Sequence, residues 1–274
     1  MRGRFMMDRN EPSDRLEGKA FDFIQIPPRS IKPRERGLTI VADKGLSVRG
    51  LEDLIEVAGE YIDWLKIGIS APRIWTREFL RRKIDVCHQS DIRVFFAGDF
   101  SEMAFHQGVH NQYYDEAKSL GADGVEVSTS QLSLPLDDKI LLVREASSRG
   151  LLVIAEVGKK GVDDLRLHAG YLRKEMSSLM DTGAWKILVQ AEGLAENVDR
   201  INETVYFDVA AAMDLKDLIF QAKDSRAHFW FLSQFGSEVS LDIEVNQVVQ
   251  IELSRRGLRS RGLFQLMASV KPGR

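Results

Sequence analysis

Three glutamates stand at the ends of apolar runs that lie far apart in this 274-residue chain: Glu126 after Gly124-Val125, Glu156 after five apolar residues, and Glu192 after a run ending Val189-Gln190-Ala191. A carboxylate at the end of a buried run is costly unless it is paired, coordinated or used. Brought to one point, three such groups suit an oxygen-preferring divalent cation such as Mg²⁺. The other outcome is that one or more of them pair with lysines. Those are at hand: Lys159 and Lys160 follow Glu156 after Gly158, Lys44 follows Asp43, and Lys66 sits inside the apolar stretch Trp64-Leu65-Lys66-Ile67. A lysine inside such a stretch either points inward or reaches the surface. The inward orientation is expected here, and it would set the ammonium against carboxylates and make its proton affinity tunable for proton transfer.

The elements that would position these groups follow from periodicity. Strands are expected at 38–42, 64–69, 92–97, 122–128, in the run that begins at 150, and at 184–191, 217–222 and 239–241. Helical stripes fall at 51–62, 74–88, 101–120, 135–148, 163–182, 225–235 and 244–256. The 101–120 helix would be capped at Ser101 and kinked by Gly108, and 194–215 reads as irregular with short helical patches. Alternation of this kind implies parallel strands joined by crossover helices. Eight units in this length match an α/β fold of one closed (β/α)₈ TIM barrel, with the site at the C-terminal ends of the strands. The competing fold is an open doubly wound sheet. Against it, no Gly-x-Gly-x-x-Gly follows the first strand and no phosphate loop ending Gly-Lys-Ser/Thr is present. The barrel is expected over 21–262, after a charged arm at 1–20 and before a tail at 263–274. Pro27, Pro28 and Pro33 make the lead-in extended, with its apolar residues packed on the base of the fold.

Composition narrows the class. The chain is 44% hydrophobic and 29% charged, with a net charge of −3, so no basic field points to nucleic acid. A single cysteine, Cys87, excludes an internal disulfide framework and fits a reducing cytoplasm. No apolar run approaches the roughly 18 residues of a membrane span. The expectation is a cytoplasmic protein with small-molecule partners and neither membrane nor nucleic acid among them.

Other groups offer less. His106 and His110 have a spacing that binds zinc on one helix face, but no third ligand accompanies them, and a solvated face is expected. Cys87 reads as a small buried hydrophobe. Arg255, Arg256, Arg259 and Arg261 read either as a solvated helix end or as a site for phosphate or a neighbouring subunit.

Together the motifs Pro33-Arg34-x-x-Gly37-Leu38-Thr39, Asp43-Lys44-Gly45, Lys66-x-Gly68, Val125-Glu126-Val127-Ser128, Glu156-Val157-Gly158-Lys159-Lys160 and Arg255-Arg256-Gly257-Leu258-Arg259 resemble the phosphosulfolactate synthase family, over nearly the whole chain. The resemblance implies a (β/α)₈ lyase that adds sulfite to phosphoenolpyruvate, giving (2R)-phospho-3-sulfolactate, with Mg²⁺ required, on routes to coenzyme M or sulfolactate, and assembled as a homotrimer. Carried onto this chain, Glu126, Glu156 and Glu192 would position Mg²⁺. Asp43, Lys44, Ser128 and Lys160 would bind substrate, and Lys66 or Lys159 would donate the proton. The chain departs from the family after strands three, four, six, seven and eight. There it carries Ala97-Gly98-Asp99, Thr129, Leu194, Gln221-Ala222-Lys223 (where the family usually has Glu-Ala-Pro) and Ser240-Leu241-Asp242 (where it has Asn-Leu-Gly). Two other readings follow from those departures: a lyase or synthase of the same enolate chemistry with another nucleophile or acceptor, and a non-catalytic barrel with a binding or stress-related role.

Overall fold

Side chains alternate across a strand, so a strand buried on both faces must place every second residue on each. In the computed structural model, which describes residues 18–24, 26–158 and 169–258, that rule builds the molecule. Eight parallel strands run β1 (Thr39–Asp43), β2 (Trp64–Ile67), β3 (Arg93–Phe96), β4 (Gly124–Val127), β5 (Leu152–Val157), β6 (Lys186–Val189), β7 (Leu218–Gln221) and β8 (Ser240–Glu244). They pair in sequence order, and β1 closes the ring on β8 with Ile40 opposite Asp242 and Ala42 opposite Glu244. One set of side chains (Val41, Leu65, Ile67, Val94, Phe96, Val125, Val127, Val153, Val157, Ile187, Phe220, Ile243) packs outward against the helices. The other set (Ile40, Trp64, Phe95, Ile154, Leu188, Ile219) forms a separate cluster within the ring. Lys66, Glu126, Glu156 and Asp242 fall in register with that second set, each two residues beyond an inward-facing or neighbouring inward position.

The outer layer is α1 (Val48–Ala58), α2 (Arg77–His88), α3 (Gly98–His106), α4 (His110–Leu120), α5 (Leu136–Ser148), α6 (Ala169–Thr182), α7 (Glu203–Ala212), α8 (Ser225–Phe235) and α9 (Val248–Arg255). Local chemistry sets their starts. Ser47 accepts from Gly50 N–H at 3.0 Å, Thr76 from Phe79 N–H at 3.1 Å and Asp224 from Ala227 N–H at 2.7 Å. The single helix expected over 101–120 is two, because Gly108 takes a positive φ of 70° that ends α3. Ser101 is not its cap: α3 begins three residues earlier, and the Ser101 hydroxyl donates to Gly98 O at 2.8 Å. The break also parts His106 from His110, which instead lies 2.9 Å from Glu145. The segment expected to be irregular contains α7, whose start Asn202 caps. Cys87 is fully buried, as its place on the apolar face implies, and burial pushes its thiol up to about 12.

The N-terminal side of the barrel is closed by aromatic and cationic side chains. Trp64 packs on Trp185 and Phe95 with ring centroids 4.8 and 5.9 Å apart. The lead-in is attached differently from the apolar packing expected of it. Phe21 and Phe23 are exposed, at 70% and 75%. Its fixed points are Arg29, buried with its guanidinium 3.0 Å from Gly37 O and 3.3 Å from Glu252, and Arg34, 3.0 Å from Asp63. Arg255 and Arg256 are not a solvated helix end; both are buried and bonded within the chain. Arg256 donates to Glu252 at 2.7 Å and to Pro27 O at 3.2 Å. Arg255 donates to the carbonyls of Val239 at 2.7 Å, Leu38 at 3.3 Å and Ser237, stitching α9 to the entrances of β1 and β8. Arg259 and Arg261 lie outside the described residues. Replacing Arg255 with Met keeps the apolar stem and removes a buried donor shared by three carbonyls, of which Leu38 O keeps Leu241 N–H at 2.9 Å and Ser237 O keeps Arg29 at 3.3 Å. The expected loss is about 3 kcal/mol of unfolding free energy, read from denaturant midpoints, and an unchanged midpoint would show the carbonyls to be otherwise satisfied.

Candidate functional site

At the C-terminal ends of the strands, inward positions turn from apolar to charged. Lys66 on β2 is the centre of this region. Its ammonium lies 2.7 Å from Glu126 Oε2 on β4 and 3.2 Å from Asp242 Oδ2 on β8. Burial works to lower that ammonium's proton affinity. Asp242, Glu126 and Glu156 outweigh burial and hold it well above the ordinary lysine value. The inward orientation expected of Lys66 is therefore the observed one, and its first property is a standing positive charge.

Glu126 and Glu156 are locked by different partners. Glu126 Oε1 accepts from Gly98 N–H at 3.0 Å. The space is tight: a methyl group on Gly98 would overlap both Glu126 Oε1 and Cβ of Ser128. Glu156 Oε1 accepts from the Gln190 amide at 3.0 Å, and its other oxygen meets the Ser128 hydroxyl. Ser128 also lies 2.6 Å from Glu102 on α3, so one hydroxyl hydrogen serves two carboxylates. Glu102 in turn accepts from Ser130 N–H at 2.9 Å, Gln131 N–H at 3.1 Å and Leu132 N–H at 2.7 Å, which fixes the loop after β4. Beneath Glu156, the buried Lys139 ammonium donates to its carbonyl at 2.5 Å and to Glu175 at 2.8 Å.

Other expected residues are placed elsewhere. Asp43 points outward to the helical layer, paired with the buried Lys83 of α2 and accepting from Gly45 N–H at 2.9 Å and Leu46 N–H at 2.8 Å; it shapes the turn after β1. Lys44 is exposed on the rim, 2.8 Å from Glu244. Glu192 is half-buried three residues past β6, in a backbone bridge to Glu196, and at the inward position of that strand end stands Gln190. Lys159 and Lys160 lie outside the described residues.

Three participants were not foreseen: Glu102, Lys223 and Asp242. Lys223 follows β7 and reaches Asp242 Oδ1 at 2.5 Å, so that one wholly buried aspartate carries two ammonium groups. Burial would raise the Asp242 carboxyl, but Lys223 and Lys66 outweigh it and hold it below the usual carboxylate range. Ending the last strand at 241 hides Asp242. Its alternation continues as Ser240, Asp242, Glu244 against Leu241 and Ile243, and that was the available signal.

Among the described residues, no three His, Cys, Asp or Glu side chains come together to hold a metal ion. Mg²⁺ needs fewer: one or two carboxylates with water and substrate phosphate complete its shell. Glu126 Oε2 is buried and, among the described residues, has no polar partner besides the Lys66 ammonium; with Glu156 it gives hard oxygen donors of the right kind. These residues fit such an ion. Nor is any helix among the described residues long and apolar enough to cross a membrane.

Comparison with known proteins gives the family. Residues 27–261 match the family description (2R)-phospho-3-sulfolactate synthase (ComA). The chain belongs to that family. It is 30% identical over 249 residues to the phosphosulfolactate synthase of Methanocaldococcus jannaschii, covering 88% of this chain and 97% of that one. It is also 22% identical over 253 residues to the Arabidopsis thaliana protein HEAT-STRESS-ASSOCIATED 32, covering 83% and 88%. Among solved structures, the carboxyl transferase domain of Rhizobium etli pyruvate carboxylase (Y628A, with pyruvate) superposes with a TM-score of 0.59 at 12% identity, over 85% of this chain and 46% of that one, a likeness of fold alone.

Two tests follow. Gly98→Ala is expected to fold while displacing Glu126 and Ser128, seen as a loss of whatever ligand the mouth binds; wild-type binding would show the close approach to be slack. For Asp242, a depressed carboxyl adds stability above the ordinary aspartate value of about 4 and loses it as pH falls through the folded value. The stability gap between wild type and Asp242→Asn is thus expected to be wide at neutral pH and to narrow on acidification below about pH 4. Denaturant midpoints across pH measure it, and a constant gap would contradict the ionic role.

Proposed function

We propose that this protein is a carbon–sulfur bond-forming lyase of its family, adding sulfite to phosphoenolpyruvate to give (2R)-phospho-3-sulfolactate. The observation that carries the reading is the Lys66 ammonium held between Glu126 and Asp242 at the C-terminal mouth of a barrel whose family match spans 27–261.

In that reaction the sulfite lone pair forms a bond to C3, and the double-bond electrons move toward C2 and the substrate carboxylate. The resulting enediolate needs positive charge beside it and then a proton at C2. Lys66 supplies fixed charge. Its firmly held proton favours that role over proton donation. Mg²⁺, where bound, supplies further charge at the carboxylate oxygens. Glu126 and Glu156 are the residues that would hold it, with Glu192 as the third group of the same proposal. In this reading Ser128 and the rim lysine Lys44 would exchange their present carboxylate partners for anionic substrate, and Lys159 and Lys160 complete the reading from the sequence side. Asp43 would act only through the turn it shapes. A homotrimer in the cytoplasm is part of the same proposal.

A second reading has one observation in its favour: the heat-stress-associated relative matches over most of both chains. It makes this a barrel with a stress-related role. The departures after strands six to eight also leave room for enolate chemistry with another nucleophile. Incubating the purified protein with phosphoenolpyruvate, sulfite and Mg²⁺ separates these. New phosphosulfolactate, followed by ³¹P NMR, is expected, with turnover reduced at least about 100-fold in Lys66→Met. No product at any Mg²⁺ concentration would remove the proposal and leave the other two.

A further inference from the structure

Lys66 and Lys223 come from opposite ends of the sequence order of the ring, yet both rest on the single carboxylate of Asp242, at 3.2 and 2.5 Å. Their surroundings differ. Lys66 also faces Glu126 and Glu156, whereas among the described residues Lys223 has Asp242 alone as an ion-pair partner. Lys223 is anchored through its backbone, its N–H donating to Glu196 and its carbonyl accepting from the Gln247 amide at 2.6 Å. The Lys223 side chain as a whole keeps a little open surface, 17%, while the Asp242 side chain has none.

We propose that Lys223 is a further proton-exchanging residue of the mouth, presented there by Asp242 as its positioning residue. The charged groups around it are Asp242 and Glu244 of β8, Lys66 of β2, and Glu196 and Asp224 from the segments beside β7. Glu244 is itself engaged by Lys44. Burial comes first among the effects on Lys223; Asp242 opposes it, Lys66 adds to it, and the balance lies below the ordinary lysine value. An ammonium in that position can give up and recover a proton, whereas one surrounded by three carboxylates keeps it. In the proposed sulfite addition the Lys223 N–H bond breaks, its electron pair stays on Nζ, and the proton goes to C2 of the enediolate. Water at the open edge then restores the ammonium. The identity of the proton acceptor rests on the function proposed above; the titration of Lys223 does not.

Trace acetylation of the intact protein with acetic anhydride over a pH series, followed by peptide mapping, reads the titration without substrate, because only the neutral amine reacts. Lys223 is expected to reach half of its plateau labelling at lower pH than the exposed Lys174 of α6. Lys66→Met is expected to move that midpoint up by removing a like charge, and Asp242→Asn to move it down. A wild-type midpoint at or above that of Lys174 overturns the proposal, and this comparison stands even where a variant fails to fold. Where the sulfite assay gives product, Lys223→Arg keeps a cation on Asp242 yet is expected to lower kcat about 100-fold or more with KM little changed. Wild-type turnover in that variant would overturn the proposal. Absence of product with the wild-type protein counts against the function reading alone, and the labelling result still decides on Lys223.

Discussion

A ring of eight hydrogen-bonded strands leaves half of its side chains no direction but the barrel axis. That confinement governs the rest of this protein. On the N-terminal side the axis is filled with Trp64, Phe95, Ile154, Leu188 and Ile219, which exclude water. On the C-terminal side the same positions become Lys66, Glu126, Glu156 and Asp242. With no room to diverge and little water for screening, these charges must satisfy one another. The Lys66–Glu126–Asp242 arrangement is the solution, and the loops around the mouth are arranged to hold its members in place.

The fold was legible because buried parallel strands leave a strong mark: short apolar runs, each followed by a helical stripe, eight times over. Lys66 was legible for a related reason. A single cation inside Trp64-Leu65-Lys66-Ile67 has only the inward face available once Leu65 and Ile67 are given to the helices. Asp43 misled for the same reason in reverse. Its charge type matched a site, but its parity put it with Val41 on the outer face, where Lys83 of α2 meets it. Charge type was visible in the sequence; parity required the strand boundary to be right.

What stayed hidden needed contacts across long sequence separations. Glu102 lies on a helix and looks like an ordinary solvated acid, and only the fold brings it to the backbone of residues 130–132. Lys223 and Asp242 belong to different βα units: Asp242 shows only in the alternation of a strand carried past 241, and their pairing shows only once the ring closes. The arginines of α9 show the opposite error. Several basic residues near a chain end resemble a solvated or ligand-binding cluster, yet Arg255 and Arg256 serve carbonyls and a carboxylate where the lead-in, β1 and β8 meet.

The hydroxyl of Ser128, caught between Glu102 and Glu156, has a consequence for how the mouth responds to disturbance. Through it, helix α3, the loop after β4 and the end of β5 form one continuous hydrogen-bonded piece. The opposite wall, from β7 to β8, is held by ammonium–carboxylate contacts whose strength varies with protonation and dielectric. One rim of the opening thus hangs on a single shared hydroxyl and the other on paired opposite charges, so removing that one hydroxyl takes a contact from three elements at once.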